Sequence, residues 1–332
     1  MTDSQGPLTP LVQVHSPTEE RNPRSRDIDT LASEQVVSRI LAEDATVVAA
    51  VQALTHEIAR LTDLCVDALT NGGRVHYVGA GTSGRLGVLD AVELLPTYNA
   101  DSDMFVAHLA GGDGAMMKAV EGAEDSEELG ASVIADHAGE HDVIVGLAAS
   151  GRTPYVKGAL AAARERGLAT ALVSANPNAP LAALADVPLL VNTGPEVVTG
   201  STRMKAATAQ KVLLNALSTS VMVRLGKTFE NLMIDVRATN EKLVARTVRI
   251  VREATGASED AARAALGATG NNLRAALVLL LAGASLEHAP EALEVLAQFP
   301  PSAKRPGDAS GIRSAGEALR ARVSSPTAAE ER

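Results

Sequence analysis

Between Val47 and Leu69 apolar residues return every three or four positions: Val47, Val51, Leu54, Ile58, Leu61, Cys65 and Leu69. That spacing draws one face of an α-helix, and Asn71-Gly72-Gly73 closes it with residues that accept a left-handed backbone. From residue 74 the rhythm changes. Apolar runs at 74–79, 103–110, 142–148, 169–174 and 187–192 alternate with helical patterns near 85–95, 113–121, 124–136 and 154–166. Short runs that are apolar at nearly every position fit strands buried on both faces, and helices between them imply parallel connections. The pattern predicts an α/β fold: a parallel sheet of about five strands with helices on both faces. Ligands of such sheets bind beyond the carboxyl ends of the strands.

After Pro195 the spacing predicts two long helices, at about 201–225 and 231–255, followed by Gly226 and Gly256. Residues 257–297 read as three short helices joined by Gly-containing turns, with Ser258 and Ser285 as N-caps. Residues 1–17 are polar and aperiodic and read as a disordered tail; 18–30 read as an ordered arm or a loop. From Pro300 onward Pro, Ser, Ala and charge dominate, with room for one short helix at most. The expected organisation is a tail (1–17), an α/β domain with a helical arm before it and long helices after it (18–256), a three-helix subdomain (257–297) and a flexible tail (298–332).

Of the 332 residues, 46% are hydrophobic but only 2% aromatic, so Ala, Leu and Val must fill the core. A formal charge of −10 argues against a general nucleic-acid or anionic-membrane surface. The single cysteine, Cys65, excludes a disulfide within the chain and fits a reducing compartment. The N-terminus lacks a basic stretch followed by an apolar run, and the longest apolar run, Ala275 to Ala284, is too short to span a bilayer. A soluble cytoplasmic protein is the expectation.

Three stretches carry candidate chemistry. Val75-His76-Tyr77-Val78 runs into Gly79-Ala80-Gly81-Thr82-Ser83-Gly84-Arg85, where a strand meets a loop of glycines and hydroxyls and a helix follows at once. Such a turn presents backbone N–H groups and the positive end of a helix dipole, a combination that binds phosphate. Ala148-Ala149-Ser150-Gly151-Arg152-Thr153-Pro154 repeats the design, and Glu196-Val197-Val198-Thr199-Gly200-Ser201-Thr202-Arg203 again sets hydroxyls before a helix. The hydroxyls of Thr82, Ser83, Ser150 and Thr153 could instead cap helices. The first loop also spells GxGxxG, but a dinucleotide site needs an acid at the end of the second strand, and Asp101 and Asp103 lie at its start. His137 and His141 lie four residues apart but flank a loop, and no CxxC spacing occurs, so a metal is poorly supported; no G-x-S-x-G elbow supports a serine nucleophile, and no cofactor is implied. That leaves carboxylates as acid and base. Asp90 and Glu93 lie one turn apart in an apolar stretch that would raise a carboxyl pKa. Glu121, Glu124, Asp125, Glu127 and Glu128 read, on composition, as a solvated helix face.

Gly79-Ala80-Gly81-Thr82-Ser83-Gly84-Arg85-Leu86-Gly87 resembles the first loop of a sugar isomerase (SIS) domain. Further stretches resemble the N-acetylmuramic acid 6-phosphate etherases: Leu89 to Glu93 with Pro96-Thr97-Tyr98, Ala119 to Ser126, Ala148 to Val156, Glu196 to Ala206, and Asn231 to Val236 with Ala238 to Leu243. The resemblance spans about residues 18 to 297 and implies an SIS-type sheet. It also implies cleavage of the D-lactyl ether at C3 of N-acetylmuramic acid 6-phosphate, giving N-acetylglucosamine 6-phosphate and D-lactate in the recycling of cell-wall sugar. By the same resemblance Glu93 and Glu124 are the catalytic carboxylates; from the chemistry of the elimination we assign Glu93 as the acid and Glu124 as the base. Gly81, Thr82, Ser83, Ser150, Gly151, Arg152, Thr153, Glu196, Ser201 and Thr202 then hold the sugar phosphate, and the protein is a homodimer with sites near its interface. Leu94-Leu95 departs from the pair expected after that glutamate and alters the polarity beside it. Two other readings share the phosphate loops: a non-catalytic sugar-phosphate regulator, and an aldose–ketose isomerase. Only the etherase releases lactate.

Overall fold

A computed structural model describes residues 16–118, 120, 122–235 and 241–324. An arm of three short 3₁₀ turns, at Pro17–Glu19, Pro23–Ser25 and Ile28–Thr30, leads into α1 (Ser33–Asp44), α2 (Val47–Gln52) and α3 (Thr55–Thr70). Strands and helices then alternate as β1 (Val75–Gly79), α4 (Gly81–Tyr98), β2 (Phe105–Leu109), α5 (Glu127–His137), β3 (Val143–Leu147), α6 (Pro154–Glu165), β4 (Ala169–Ser174) and β5 (Val187–Leu190). The sheet order is β2-β1-β3-β4-β5, and every pair is parallel. This is the α/β architecture that the alternation of apolar runs predicts.

Side chains alternate across the sheet, as the period of two requires. Tyr77, Val145, Leu147, Val173 and Leu189 pack with α3, α4 and the long α7 (Lys205–Arg224). Val78, Ile144 and Leu172 pack on the other face with Ile134 of α5 and Val156 and Leu160 of α6. A hairpin of β6 (Thr228–Phe229) and β7 (Leu232–Met233) follows, then α8 (Glu241–Thr255), α9 (Glu259–Ala268), α10 (Leu273–Ala282), α11 (Ala289–Gln298) and α12 (Ile312–Ser324). Ser258 caps α9 as expected, accepting the Ala261 N–H, whereas Ser285 makes no capping bond. No single described helix is long and apolar enough to cross a membrane.

The structure departs from the sequence reading at five places. Among the described residues of 113–121 there is no α-helix: Gly111, Gly112 and Gly122 take positive φ (87, 71 and 75°), and the chain forms a 3₁₀ turn at Asp113–Met116 and another at Ala123–Asp125. No helix begins at 231, because Glu230 adopts φ 52° and turns the β6–β7 hairpin. Ser16 and Thr18 are buried and joined through their hydroxyls at 2.9 Å, so the end of the expected 1–17 tail is ordered; residues 1–15 lie outside the described residues. The segment expected as a 298–332 tail carries α12, whose Ile312, Ala315 and Leu319 are fully buried; residues 325–332 lie outside the described residues. Finally, the helical unit does not begin at 257. One apolar core joins Phe229, Ile234, Val248 and Val251 to Leu266, Leu277, Val278 and Leu319, so α8, the hairpin and α12 belong to it.

Buried His76 and half-buried His108 bridge β1 and β2 on the α5 side. The carboxylate of Asp142 can only accept, so His76 Nε2–H donates to it (2.7 Å), and the bare His76 Nδ1 accepts from His108 Nε2–H (2.8 Å). Burial pushes the His108 pKa down to about 4 and lowers that of His76. Both rings stay neutral in the fold at pH values where the unfolded chain, with histidines near pKa 6.5, takes up protons. Stability is therefore lost as pH falls from about 6.5 toward 4. Thermal unfolding across that window should show a falling Tm. His108→Gln should flatten the fall by the equivalent of about 1–2 kcal/mol near pH 4.5; an unchanged slope would remove this pair as its cause.

Candidate active site

The three hydroxyl-bearing loops meet at the carboxyl ends of the strands. After β1, the chain enters α4 at Gly81 (φ 52°) with Thr82 and Ser83 half-buried in its first turn. The glycines here serve close packing. A Cβ on Gly84 would lie 2.5 Å from the Gly79 carbonyl oxygen, and one on Gly87 would lie 2.8 Å from a Leu147 methyl. After β3, Gly151 takes φ 67°, where a Cβ would meet the Ala179 side chain at 2.3 Å. Asn176 Nδ2 donates to the Ser150 carbonyl (3.1 Å) and Ser174 Oγ to that of Ala149 (3.1 Å), so the residues after β4 hold this loop's backbone.

After β5 the chain reaches Glu196, which has no exposed surface. Its two carboxylate oxygens accept the N–H groups of Lys205 (3.0 Å) and Ala206 (2.9 Å), the first residues of α7. Burial raises the Glu196 pKa, with those two N–H bonds opposing. Glu196 therefore closes the loop that holds the half-buried Ser201 and Thr202, and its carboxylate faces backbone rather than the cleft. Gln210, one turn further along α7, donates to the Ser83 carbonyl (2.8 Å) and lines a small cavity beside Ala149 and Ser174. Through Gln210 and Ala206 the start of α7 touches both other loops. Glu43, whose carboxylate accepts from Lys205 Nζ (2.7 Å), helps fix this arrangement with Lys205 and Gln210, and none of the three was singled out from sequence. Gln210 left a faint signal as a polar residue on the inner face of an apolar helix.

The capping alternative can be judged directly. Thr153 occupies the N-cap of α6 and makes no side-chain capping bond, whereas Ser126 before α5 does accept the Leu129 N–H (3.1 Å). Arg85, beside the first loop, points elsewhere: its guanidinium donates to the Ala115 carbonyl at 2.8 and 3.0 Å, tying down the turn after β2. That tether frames a cleft of about 200 Å³ lined by Ala80, Gly81, Arg85, Ala110, Ala115, Val120, Gly122 and Glu124.

The two candidate carboxylates lie differently. Glu124 stands in the Ala123–Asp125 turn, on the wall of that cleft and against the start of α4. Glu124 is exposed, as expected of the acidic stretch, but it stands in a 3₁₀ turn rather than on a helix and lines the cleft. Glu93 is exposed on the outer face of α4, eight residues beyond Arg85. At 1.5 Å per residue that is about 12 Å along the helix axis. The pKa-raising surroundings expected for this stretch belong to Asp90, which is buried, accepts from Tyr77 Oη (3.1 Å) and Ser218 Oγ (3.2 Å), and is shifted up by that burial. Among the described residues no three His, Cys, Asp or Glu side chains converge to hold a metal ion.

Comparison with known proteins adds to this geometry. The chain matches the sequence profile of the SIS domain over residues 118–220, and that of the glucokinase regulatory protein N-terminal SIS domain over 57–164. It is 50% identical over 287 residues to the N-acetylmuramic acid 6-phosphate etherase of Aliivibrio salmonicida, covering 86% of this chain and 94% of that protein. The protein of the same name from Brucella anthropi is 48% identical over 278 residues, covering 83% and 91%. Among solved structures, a phosphoheptose isomerase from Francisella tularensis aligns with a TM-score of 0.45 at 19% identity, covering 57% of this chain and 100% of that one.

Helix-capping and ligand-binding hydroxyls respond differently to removal. Ser150→Ala and Thr153→Val should leave stability within about 0.5 kcal/mol, as for groups outside the packing. A capping role would lose about 1 kcal/mol. The same variants should weaken binding of a sugar phosphate by about tenfold each, as loss of a hydrogen bond to a charged group implies. Unfolding and binding measured side by side separate the two roles.

Proposed function

The chain belongs to the N-acetylmuramic acid 6-phosphate etherases; starting from that membership and the geometry of the cleft, we propose how its residues divide the work. The enzyme cleaves the D-lactyl ether of N-acetylmuramic acid 6-phosphate to N-acetylglucosamine 6-phosphate and D-lactate, a carbon–oxygen lyase reaction. The observation that carries our reading is the convergence of three hydroxyl loops beside a cleft walled by Glu124. Thr82, Ser83, Ser150, Arg152, Thr153, Ser201 and Thr202 hold the phosphate, with Gly81 and Gly151 letting the backbone approach. That remote binding energy fixes the open-chain sugar for the chemical step.

An ether oxygen leaves poorly. Opening the ring exposes an aldehyde at C1, which acidifies the proton on C2. Glu124 takes that proton, the C3–O bond breaks, and a carboxylic acid protonates the departing lactyl oxygen. Water then adds to C3 of the unsaturated aldehyde, and the sugar is N-acetylglucosamine 6-phosphate. We assign the acid to Glu93. C2 and C3 are neighbours, yet Glu93 sits about 12 Å along α4 from the cleft wall at Arg85. This offset supports a homodimer in which Glu93 of the partner subunit completes each site. The surroundings of Glu93 support it too. Leu89, Val92 and Leu95 are exposed around it, Val92 by 58%. A second copy covering this face would exclude water from Glu93 and close the site around the departing oxygen. A phosphorylated sugar substrate places the enzyme in the cytoplasm in our reading.

Purified protein given N-acetylmuramic acid 6-phosphate should release D-lactate, and the unphosphorylated sugar should be a very poor substrate. Glu93→Gln and Glu124→Gln should each lower kcat by about 10²–10⁴. In deuterated water Glu93→Gln should retain exchange at C2, and Glu124→Gln should lose it; the reverse would swap their roles. Co-expressing the two variants tests the shared site. Random pairing gives half hybrid dimers, each with one of its two sites intact, so activity should return to about a quarter of wild type. No recovery would mean that each site is built within one chain.

A further inference from the structure

The mechanism above leaves unused a buried ionic cluster beneath the third phosphate loop. Lys205, the first residue of α7, is only 1% exposed, and Glu43, near the end of α1, only 3%. Lys205 Nζ donates to Glu43 Oε2 at 2.7 Å, and the same carboxylate receives Arg24 through Nε (2.5 Å) and Nη2 (2.7 Å). A lysine buried at a helix N-terminus is doubly disfavoured, by desolvation and by the positive end of the dipole. Such a position is tolerable only with a carboxylate in place. Glu43 arrives from the N-terminal arm, 162 residues away in sequence.

The arm grips the same loop elsewhere. Asn22 Nδ2 donates to the Pro195 carbonyl (3.2 Å), Ser25 Oγ to that of Val197 (2.7 Å), and the Gly200 N–H donates to the Thr18 carbonyl (3.0 Å). The loop from Glu196 to Lys205 is thus tied at its start, middle and end. Glu196 closes it from within, and the arm holds it from outside. Ser201 and Thr202 ride on the segment between these ties.

We propose that residues 16–44 form a strap for the phosphate site, with Glu43 and Lys205 as positioning residues that set Ser201 and Thr202 against the other two loops. This rests on the phosphate reading of the loops given above. Neither side chain reaches the ligand: both are closed off and paired with each other. Glu43 is held down to about pKa 2, chiefly by its bond to Arg24, so the latch stays charged throughout the range in which the enzyme can be assayed.

The test separates position from stability. Glu43→Gln keeps the shape but removes the charge. In the full-length enzyme it should raise KM for N-acetylmuramic acid 6-phosphate and Ki for inorganic phosphate by the same factor, about ten- to a hundredfold, as expected when a binding group moves by about 1 Å. The change in kcat should be much smaller. Arg24→Gln removes a partner that is mostly exposed, leaves the Lys205 contact and should fold; a rise of about two- to fivefold in both constants is expected, below the loss of a whole hydrogen bond to a charged group. Arg39→Ala breaks the arm's surface contact with Asp27, away from the loop, and should change neither. A lower Tm in Glu43→Gln and Arg24→Gln with KM and Ki unchanged would overturn the proposal. Wild-type enzyme insensitive to inorganic phosphate would count instead against the phosphate reading itself.

Discussion

Burial of the charged first turn of α7 is the constraint from which the site's geometry follows. A helix start carries N–H groups without partners, and this one also carries a lysine inside the protein. Both needs are met by carboxylates, Glu196 for the N–H groups and Glu43 for the ammonium. Because those two glutamates come from segments far apart in sequence, the place of α7 depends on both the arm and the β5 loop. Once α7 is placed, Gln210 reaches the Ser83 carbonyl and Ala206 lies beside Ala149, so the three loops share one frame. Breaking such a buried pair typically costs about 3–5 kcal/mol, because one charge is left uncompensated. That penalty makes one arrangement of the loops much better than its neighbours.

Residues close in sequence were readable, and contacts between distant ones were not. Strand, glycine, hydroxyl and helix follow one another within a dozen residues at Val75–Arg85 and again around Ser150, so local pattern was enough to locate both loops. Glu124 shows the limit. Its neighbours Asp125, Glu127 and Glu128 give it the composition of a solvated helix. What brings it to the cleft is a pair of positive-φ turns, at Gly111–Gly112 and Gly122, acting together with Arg85 on the Ala115 carbonyl. Only the family resemblance singled it out. Helix α12 was missed for another reason. Its buried stripe is Ile312, Ala315 and Leu319, too few apolar residues to announce a periodicity. The Glu43–Lys205 pair has no local signature at all.

Glu93 joins local readability to assembly. Its helix begins at the phosphate loop, which fixes how far any residue on it can lie from the ligand. With a rise of 1.5 Å per residue, ten residues beyond Ser83 is about 15 Å, more than a sugar spans between its phosphate and C3. A carboxylate at that position can meet the substrate bound at another copy's loops more readily than at its own. In a two-fold dimer that arrangement is reciprocal, so one apolar face with Leu89, Val92 and Leu95 around Glu93 would serve both sites. The exposed leucine that departs from the family pattern, Leu95, lies on this face, where an apolar side chain gains by being covered.

The GxGxxG stretch shows why a glycine pattern specifies an approach and not a ligand. Gly79 and Gly84 are needed because their backbones touch, and Gly87 because α4 lies against Tyr77 and Leu147. Those contacts are what any strand-to-helix turn requires when the helix packs tightly on its own sheet. The same contacts expose N–H groups at the turn, so the phosphate binding proposed for it would come with the packing. A dinucleotide needs more: open space beyond the second strand and an acid there for the ribose. Here the turn after β2 folds back toward α4 and is tied down by Arg85 on the Ala115 and Met116 carbonyls. Where the longer ligand would continue, the chain has built the wall that carries Glu124. The cleft that remains has a carboxylate on its wall, put there by the glycine turns and the arginine tether together.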